Sequence, residues 1–300
     1  MSYLHSGGAN TLLGYPADAR LLIINADDFG LCHAINAAIF RSLTDGIVCS
    51  TSVMAPCPWA LHALHLLREH PAIPFGVHLT VICDPAHYRW GPLTCREKVP
   101  SLVDETGYFY SFDRIPEFLA QVKVEELEVE FRAQIEMVLA ANLTPTHLDW
   151  HCLRGGGGAA IVELMLRLAQ DYGLAMRVVD HPWIEKVQRQ GLPTADYVFL
   201  DSYLLDTVDK SARYAQLLHD LPVGLSEWAV HPGFDDAEVR AIGSLGPRER
   251  QTDFDFLISA EAREMIQQEG ITLLSYTPLQ QAWHNSYTLS TSVARTSRPG

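Results

Sequence analysis

Eight short apolar runs, most of them separated by helical patterning, restrict the folds open to this chain more than any other feature. The first, at 21–26, is the kind of continuous run found in parallel strands buried on both faces. After Asp27-Asp28, the residues Ala34, Ile35, Ala38 and Ile39 recur at helical spacing, and Gly46 separates them from a second strand at 48–54. A helix at 59–69, a strand at 75–81 and a long amphipathic helix at 124–141 follow. Further strands fall at 146–150, 175–179, 197–200, 224–230 and 271–275. Strands alternating with helices in this number fit an α/β fold of the (β/α)-barrel type, TIM-like and either complete or lacking a unit, better than an open two-layer sheet.

Such barrels commonly run to about 250 residues or more as one domain, so the 300 residues here suit a single catalytic domain at 1–285. Residues 286–300, rich in Ser, Thr and Arg, are expected to form a loose tail. Two segments, 82–112 and 234–253, exceed an ordinary βα connection and are expected as long loops on the C-terminal face, the first covering the substrate. Trp90, Tyr108, Phe109 and Tyr110 in the first of these, together with Trp150 and Trp183, offer aromatic faces for a ligand to stack on.

A formal net charge of −14 without a Lys/Arg cluster argues against nucleic acid as a partner. No apolar run reaches the roughly 18–20 residues needed to cross a bilayer, and the N-terminal residues lack a signal-peptide pattern, so a cytoplasmic location and no membrane partner are expected. A homodimer is expected on general grounds. The six cysteines form no CxxC pair and read as reduced thiols. Cys152 beside His151 invites a Cys–His nucleophile, but neighbours in an extended segment point to opposite sides.

Four strands end in polar residues able to bind a metal or move a proton: Asp27-Asp28, His78, His147-x-Asp149-x-His151 and His231. In a parallel barrel all strand C-termini face one end, so these residues converge whatever their separation in sequence. Adjacent carboxylates repel unless a cation or a proton relieves them, and a helix N-cap needs only one. His147, Asp149 and His151 alternate along a strand and share a face, a costly row inside a barrel unless it has partners. The glycine run 155–158 lacks the Lys-Ser or Lys-Thr of a phosphate loop.

At these positions the sequence resembles the YdjC-like carbohydrate deacetylases, the group of chitooligosaccharide and hopanoid-associated deacetylases. The resemblance rests on Asn25-Ala26-Asp27-Asp28-Phe29-Gly30, Asn36-x-x-Ile39, Thr51-Ser52-Val53-Met54, Gly76-Val77-His78-Leu79, His147-Leu148-Asp149-x-His151 and His231-Pro232-Gly233, in that order. It implies a barrel-like fold, one divalent metal ion and an N-acetylated mono- or oligosaccharide substrate. By position, Asp28, His78 and His151 would be the metal ligands, Asp27 the general base and His231 the general acid. Zinc is the first expectation for an Asp-His-His set, with magnesium, manganese, cobalt or nickel also acceptable. Asp149 is expected to orient a ligating imidazole, and His147 to hold the substrate or its loop. Where relatives often continue with a further histidine, this chain has Leu153 and then Arg154, which would donate to a hydroxyl or bind an anionic group. Two other readings use the same residues: a sugar-binding pseudo-enzyme that regulates, and a metal-dependent phosphoesterase, which would want a second metal and more cationic neighbours.

Overall fold

The computed structural model describes residues 8–84, 87–153, 157–243 and 246–296, with side chains through 288. Its strands are β1 (Arg20–Phe29), β2 (Ser50–Val53), β3 (Phe75–Leu79), β4 (Ile82–Cys83), β5 (Tyr110–Ser111), β6 (His147–Trp150), β7 (Ala175–Met176), β8 (Leu200–Asp201), β9 (Gly224–Val230) and β10 (Ile271–Leu273). Eight of them form one sheet in the order β7-β6-β3-β2-β1-β9-β8, with β10 also paired to β1 and every pairing parallel. The sheet curls into a half-barrel. Among the described residues β7 and β8 are not paired with each other, so the ring stays open there. All eight strands expected from the sequence have a counterpart in this sheet, some shorter than their apolar runs, and β8 overlaps the run at 197–200 only at Leu200.

β1 is the organising strand. It pairs with β9 from Arg20 to Ala26 on one side; on the other it meets β10 at its start and β2 at its end. From Leu21 to Phe29 it is buried throughout, the apolar run at 21–26 and the two aspartates after it alike. The helix His33–Asp45 covers it with Ala34, Ile35, Ala38 and Ile39, the four positions whose spacing marked a helix. The helix Val124–Ala140 buries Leu127, Phe131, Ile135 and Val138. Two polar residues on that buried face anchor neighbouring chain. Gln134 accepts from Thr80 N at 2.9 Å and donates to Thr80 O at 2.8 Å, fixing the backbone just past β3. Glu130 accepts from Leu93 N and Thr94 N at 3.1 and 3.0 Å.

The segment 82–112 is more ordered than a loop: β4 and β5 pair in parallel, and Asp104 ties it together by accepting from Arg89 at 2.7 Å and Arg114 at 3.2 Å. The expectation for 234–253 needs correcting, since two helices, Ala237–Ile242 and Pro247–Leu257, occupy most of it. The last helix, Thr277–Thr296, carries the chain into the segment expected to be a loose tail, and 297–300 lie outside the described residues. Among the described residues no helix is long and apolar enough to cross a membrane.

Beneath the strand ends, the His147 ring is wedged between Gly76 and Tyr276. It stacks on the tyrosine at 3.7 Å between centroids, and a Cβ added to Gly76 would lie 2.6 Å from the imidazole. Only a residue without a side chain fits there. Gly76→Ala is expected to lower stability by about 1–3 kcal/mol through overpacking, read as a reduced denaturant midpoint at unchanged slope.

Candidate active site and metal centre

Strand alternation would send Asp27 and Asp28 to opposite faces, yet both line one cavity. The local backbone explains this. The register between β1 and β2 slips by one residue between Ala26 and Phe29, a bulge, and Asp28 sits in the left-handed region at φ 72°. A non-glycine residue held there is strained, and such strain concentrates at functional sites.

Parallel register brings the other groups to the same end. His78 lies opposite Asp149 in the β3–β6 pairing, and Ala26 lies opposite Val230 in the β1–β9 pairing, so Asp27 and His231 follow side by side. The cavity, about 510 Å³, is lined by Asp27, Asp28, His78, His151 and His231. That volume suits a small-molecule ligand.

His78 Nε2 lies 3.5 Å and His151 Nδ1 lies 3.2 Å from Asp28 Oδ1. One ligand atom from each of the three residues falls within 4.8 Å of the others, and all three residues are buried. Asp28 Oδ1 has no hydrogen-bond partner, whereas Oδ2 accepts from Arg250 at 2.6 Å. A buried carboxylate oxygen with no donor, facing two imidazole nitrogens, is what a divalent cation would satisfy. The residues fit the group.

Each imidazole is oriented from behind. His78 Nδ1 is 2.9 Å from Asp149 Oδ1, and Ser52 Oγ donates to the other Asp149 oxygen at 2.7 Å. His151 Nε2 is 2.9 Å from Asp84 Oδ2. Each carboxylate accepts from one ring nitrogen and leaves the opposite one free to ligate. Burial raises the Asp28 pKa, but Arg250 and then His151 outweigh it and hold the carboxyl well below its ordinary value. Burial works against charge on His78 and His151, yet Asp149 beside the first raises its pKa and Asp84 beside the second holds that pKa well above its ordinary value.

Asp27 is held by Arg177, which donates to its two oxygens at 2.7 and 2.8 Å, and by Asn25 Nδ2 at 2.7 Å. Arg177 also donates to Glu227 at 2.7 Å and lies 3.1 Å from Asp149, and Tyr276 donates to Glu227 at 2.8 Å. His231 Nδ1 is 2.9 Å from Ser202 Oγ, whose single proton goes to Asp253 at 2.5 Å. Nδ1 is therefore the protonated nitrogen in the neutral ring.

Not every expected residue reaches the cavity. Asp149 and His147 are fully buried beneath it, and burial pushes the His147 pKa down to about 3, so this imidazole is neutral and packs rather than holding substrate. Arg154 lies outside the described residues. Of the six aromatic residues expected to stack on sugar, Trp150 alone lines the cavity; Trp90, Phe109 and Tyr110 are core, and Tyr108 and Trp183 lie elsewhere. Phe112, Phe199 and Tyr203 take their place at the wall. Cys152 does not point away from His151, as extended alternation would require. At φ 60° its backbone turns the thiol back to 3.1 Å from His151 Nε2. Burial pushes that thiol up to about 12, which disfavours a Cys–His nucleophile.

Sequence reasoning missed Arg177, Arg250, Asp84, Glu227, Ser202 and Asp253. A signal existed for two of them: Arg177 and Glu227 are charged residues inside runs otherwise apolar enough to be read as strands.

Residues 21–268 match the family described as YdjC-like protein. The chain belongs to the YdjC-like family. Among its relatives, a carbohydrate deacetylase of Thermoanaerobacter pseudethanolicus is 30% identical, covering 87% of this chain and 100% of the relative. A carbohydrate deacetylase of Enterococcus faecalis is 33% identical over 87% and 98%. A chitooligosaccharide deacetylase of Yersinia enterocolitica is 29% identical over 86% and 98%. An Enterococcus faecalis crystal structure, provisionally assigned to cellobiose-phosphate cleavage, superposes at a TM-score of 0.73 with 30% identity, covering 87% of this chain and 99% of the other.

In this YdjC-like chain, Arg250 is the buried counter-charge of Asp28. Arg250→Met is expected to destabilise the protein by about 3–5 kcal/mol near neutral pH, because it leaves a buried carboxylate uncompensated. A carboxyl whose folded pKa is depressed contributes stability above its unfolded pKa of about 3.9 and loses it as pH falls toward the folded value. The gap between wild type and variant should therefore narrow below about pH 4, measured by urea unfolding across pH.

Proposed function

We propose that this chain hydrolyses the acetyl amide of an N-acetylated mono- or oligosaccharide, with Asp28, His78 and His151 holding one divalent cation, Asp27 acting as general base and His231 as general acid. The observation that carries this reading is the unpartnered Asp28 Oδ1 facing His78 Nε2 and His151 Nδ1 on the cavity wall, in a chain whose relatives are named carbohydrate deacetylases. Zinc heads the candidates for the cation, ahead of magnesium, manganese, cobalt and nickel. The proposal takes the half-barrel as one catalytic unit, since the cavity draws on residues from Asp27 to His231.

A divalent cation held by Asp28, His78 and His151 would polarise the acetyl carbonyl and make water more acidic. Arg177 and Asn25 fix the Asp27 carboxylate in place, and Asp27 takes a proton from the attacking water. The water oxygen bonds to the carbonyl carbon, and the carbon–nitrogen bond then breaks. His231, its Nδ1 anchored on Ser202, delivers a proton from Nε2 to the departing nitrogen. Acetate and an amino sugar are the products.

The walls support an uncharged substrate over a phosphorylated one. Asp27, Asp28, Asp84, Asp180 and Asp201 line the cavity, and among the described residues its lining cation is Arg177, already committed to Asp27 and Glu227. Phe112, Val198, Tyr203 and Leu204, all exposed, form an apolar rim suited to pyranose faces.

The test is acetate release from a panel of N-acetylated sugars, with metal content measured on the same preparations. Asp27→Asn is expected to keep its metal and lose about 10²- to 10⁴-fold in kcat. Asp149→Asn is expected to weaken metal affinity by about 10- to 100-fold, since it removes the acceptor behind His78. Metal-loaded wild type that cleaves no N-acetyl amide would overturn the assignment.

A further inference from the structure

His151 presents both ring nitrogens to ligand-type atoms. Nδ1 faces Asp28 Oδ1 at 3.2 Å. Nε2 faces a different pair, Asp84 Oδ2 at 2.9 Å and Cys152 Sγ at 3.1 Å, and that sulfur lies 3.3 Å from Asp84 Oδ1. Carboxylate, imidazole and thiol thus form a second trio whose ligand atoms fall within 4.8 Å of one another, as tightly gathered as the first. All three side chains line the cavity, so an ion has a route to them.

The trio depends on one backbone feature. Cys152 comes two residues after the strand ends at Trp150, and its left-handed conformation at φ 60° brings Sγ to the same side as His151 Nε2.

We propose that Asp84, His151 Nε2 and Cys152 form a second cation position, selective for soft divalent ions, that shares His151 with the Asp28–His78 position. The inference rests on the reading of Asp28, His78 and His151 as the first position. Thiolate with imidazole selects zinc, cadmium or cobalt, whereas magnesium and manganese prefer oxygen ligands. Binding displaces the Cys152 Sγ proton to water and moves the His151 ring proton from Nε2 to Nδ1, while the Asp84 carboxylate binds in its ionised form. Protonated at Nδ1, the ring leaves the first position. Soft ions in excess are therefore inhibitors of the enzyme loaded with a hard metal.

The test is a titration of the full chain with cobalt(II) and cadmium(II), following the sulfur-to-metal charge-transfer absorbance. Wild type is expected to develop a band equivalent to one thiolate per chain. Cys152→Ser should lose it, and Asp84→Asn should require at least about tenfold more ion to reach it. Manganese should produce no band and should not displace the soft ion. Circular dichroism establishes that each variant is folded, and Asp84→Asn keeps the proposal testable should Cys152→Ser fold poorly. Absence of a band in wild type, or a band that persists in Cys152→Ser because another cysteine such as the exposed Cys95 supplies it, overturns the proposal. Failure of the hydrolase reading shows separately, as absent acetate release by wild type whatever the absorbance does.

Discussion

Two consecutive buried carboxylates at the end of the central strand set the terms for everything around them. Asp27 and Asp28 are both nearly inaccessible, and an uncompensated buried carboxylate costs several kcal/mol. The chain divides the compensation. Arg177 takes both oxygens of Asp27, Arg250 takes one oxygen of Asp28, and the remaining Asp28 oxygen is left to two imidazoles. The bulge and the left-handed backbone at Asp28 make that division possible, because a regular strand would bury one of the pair on the wrong face. The same distortion that strains the strand creates two adjacent carboxylates with different partners, one suited to a proton and one to a cation.

From that constraint the rest of the sheet follows as support. Parallel register sets His78 beside Asp149 and brings His231 next to Asp27, so no loop has to search for the geometry. Arg177, on the cavity wall, joins Glu227, Tyr276 and Asp149 beneath it in a buried polar tier whose members satisfy one another. His147 completes it by packing, held flat between Tyr276 and a glycine that cannot be enlarged. On the outer side, Ser202 and Asp253 fix one tautomer of His231, with Lys210 and Tyr214 anchoring Asp253 at 2.5 and 2.8 Å. The positions proposed for a base, an acid and a cation thus lie at or just past strand ends, while the proposed substrate rim comes from more exposed connections.

The sequence made the strand count and the convergence of Asp27, Asp28, His78, His151 and His231 legible, because an unbroken apolar run ending in a polar residue has one physical meaning in a parallel barrel. What it concealed were partners whose placement depends on long-range packing. Arg250 lies in a segment whose prolines, glycines and charges read as loop, although it folds into helices that reach back to β1. Asp84 lies in the insertion after β3, where no periodicity fixes a direction for its side chain. Cys152 was hidden by a sound rule, strand alternation, that a single left-handed residue suspends. The stacking aromatics went astray for a related reason: Trp90, Phe109 and Tyr110 serve the core of the insertion itself, and hydrophobic identity alone does not separate core from wall.

The central claim is that Asp28 Oδ1, His78 Nε2 and His151 Nδ1 are arranged around a divalent cation. Crystals grown or soaked with manganese, with diffraction recorded at the manganese absorption edge, test it most directly. The account predicts one anomalous peak within about 2.0–2.3 Å of all three atoms, with Asp149 and Asp84 still behind the two imidazoles. A structure at full manganese occupancy elsewhere, or one in which Asp28 Oδ1 turns to a protein donor and no peak lies between the imidazoles, would contradict it.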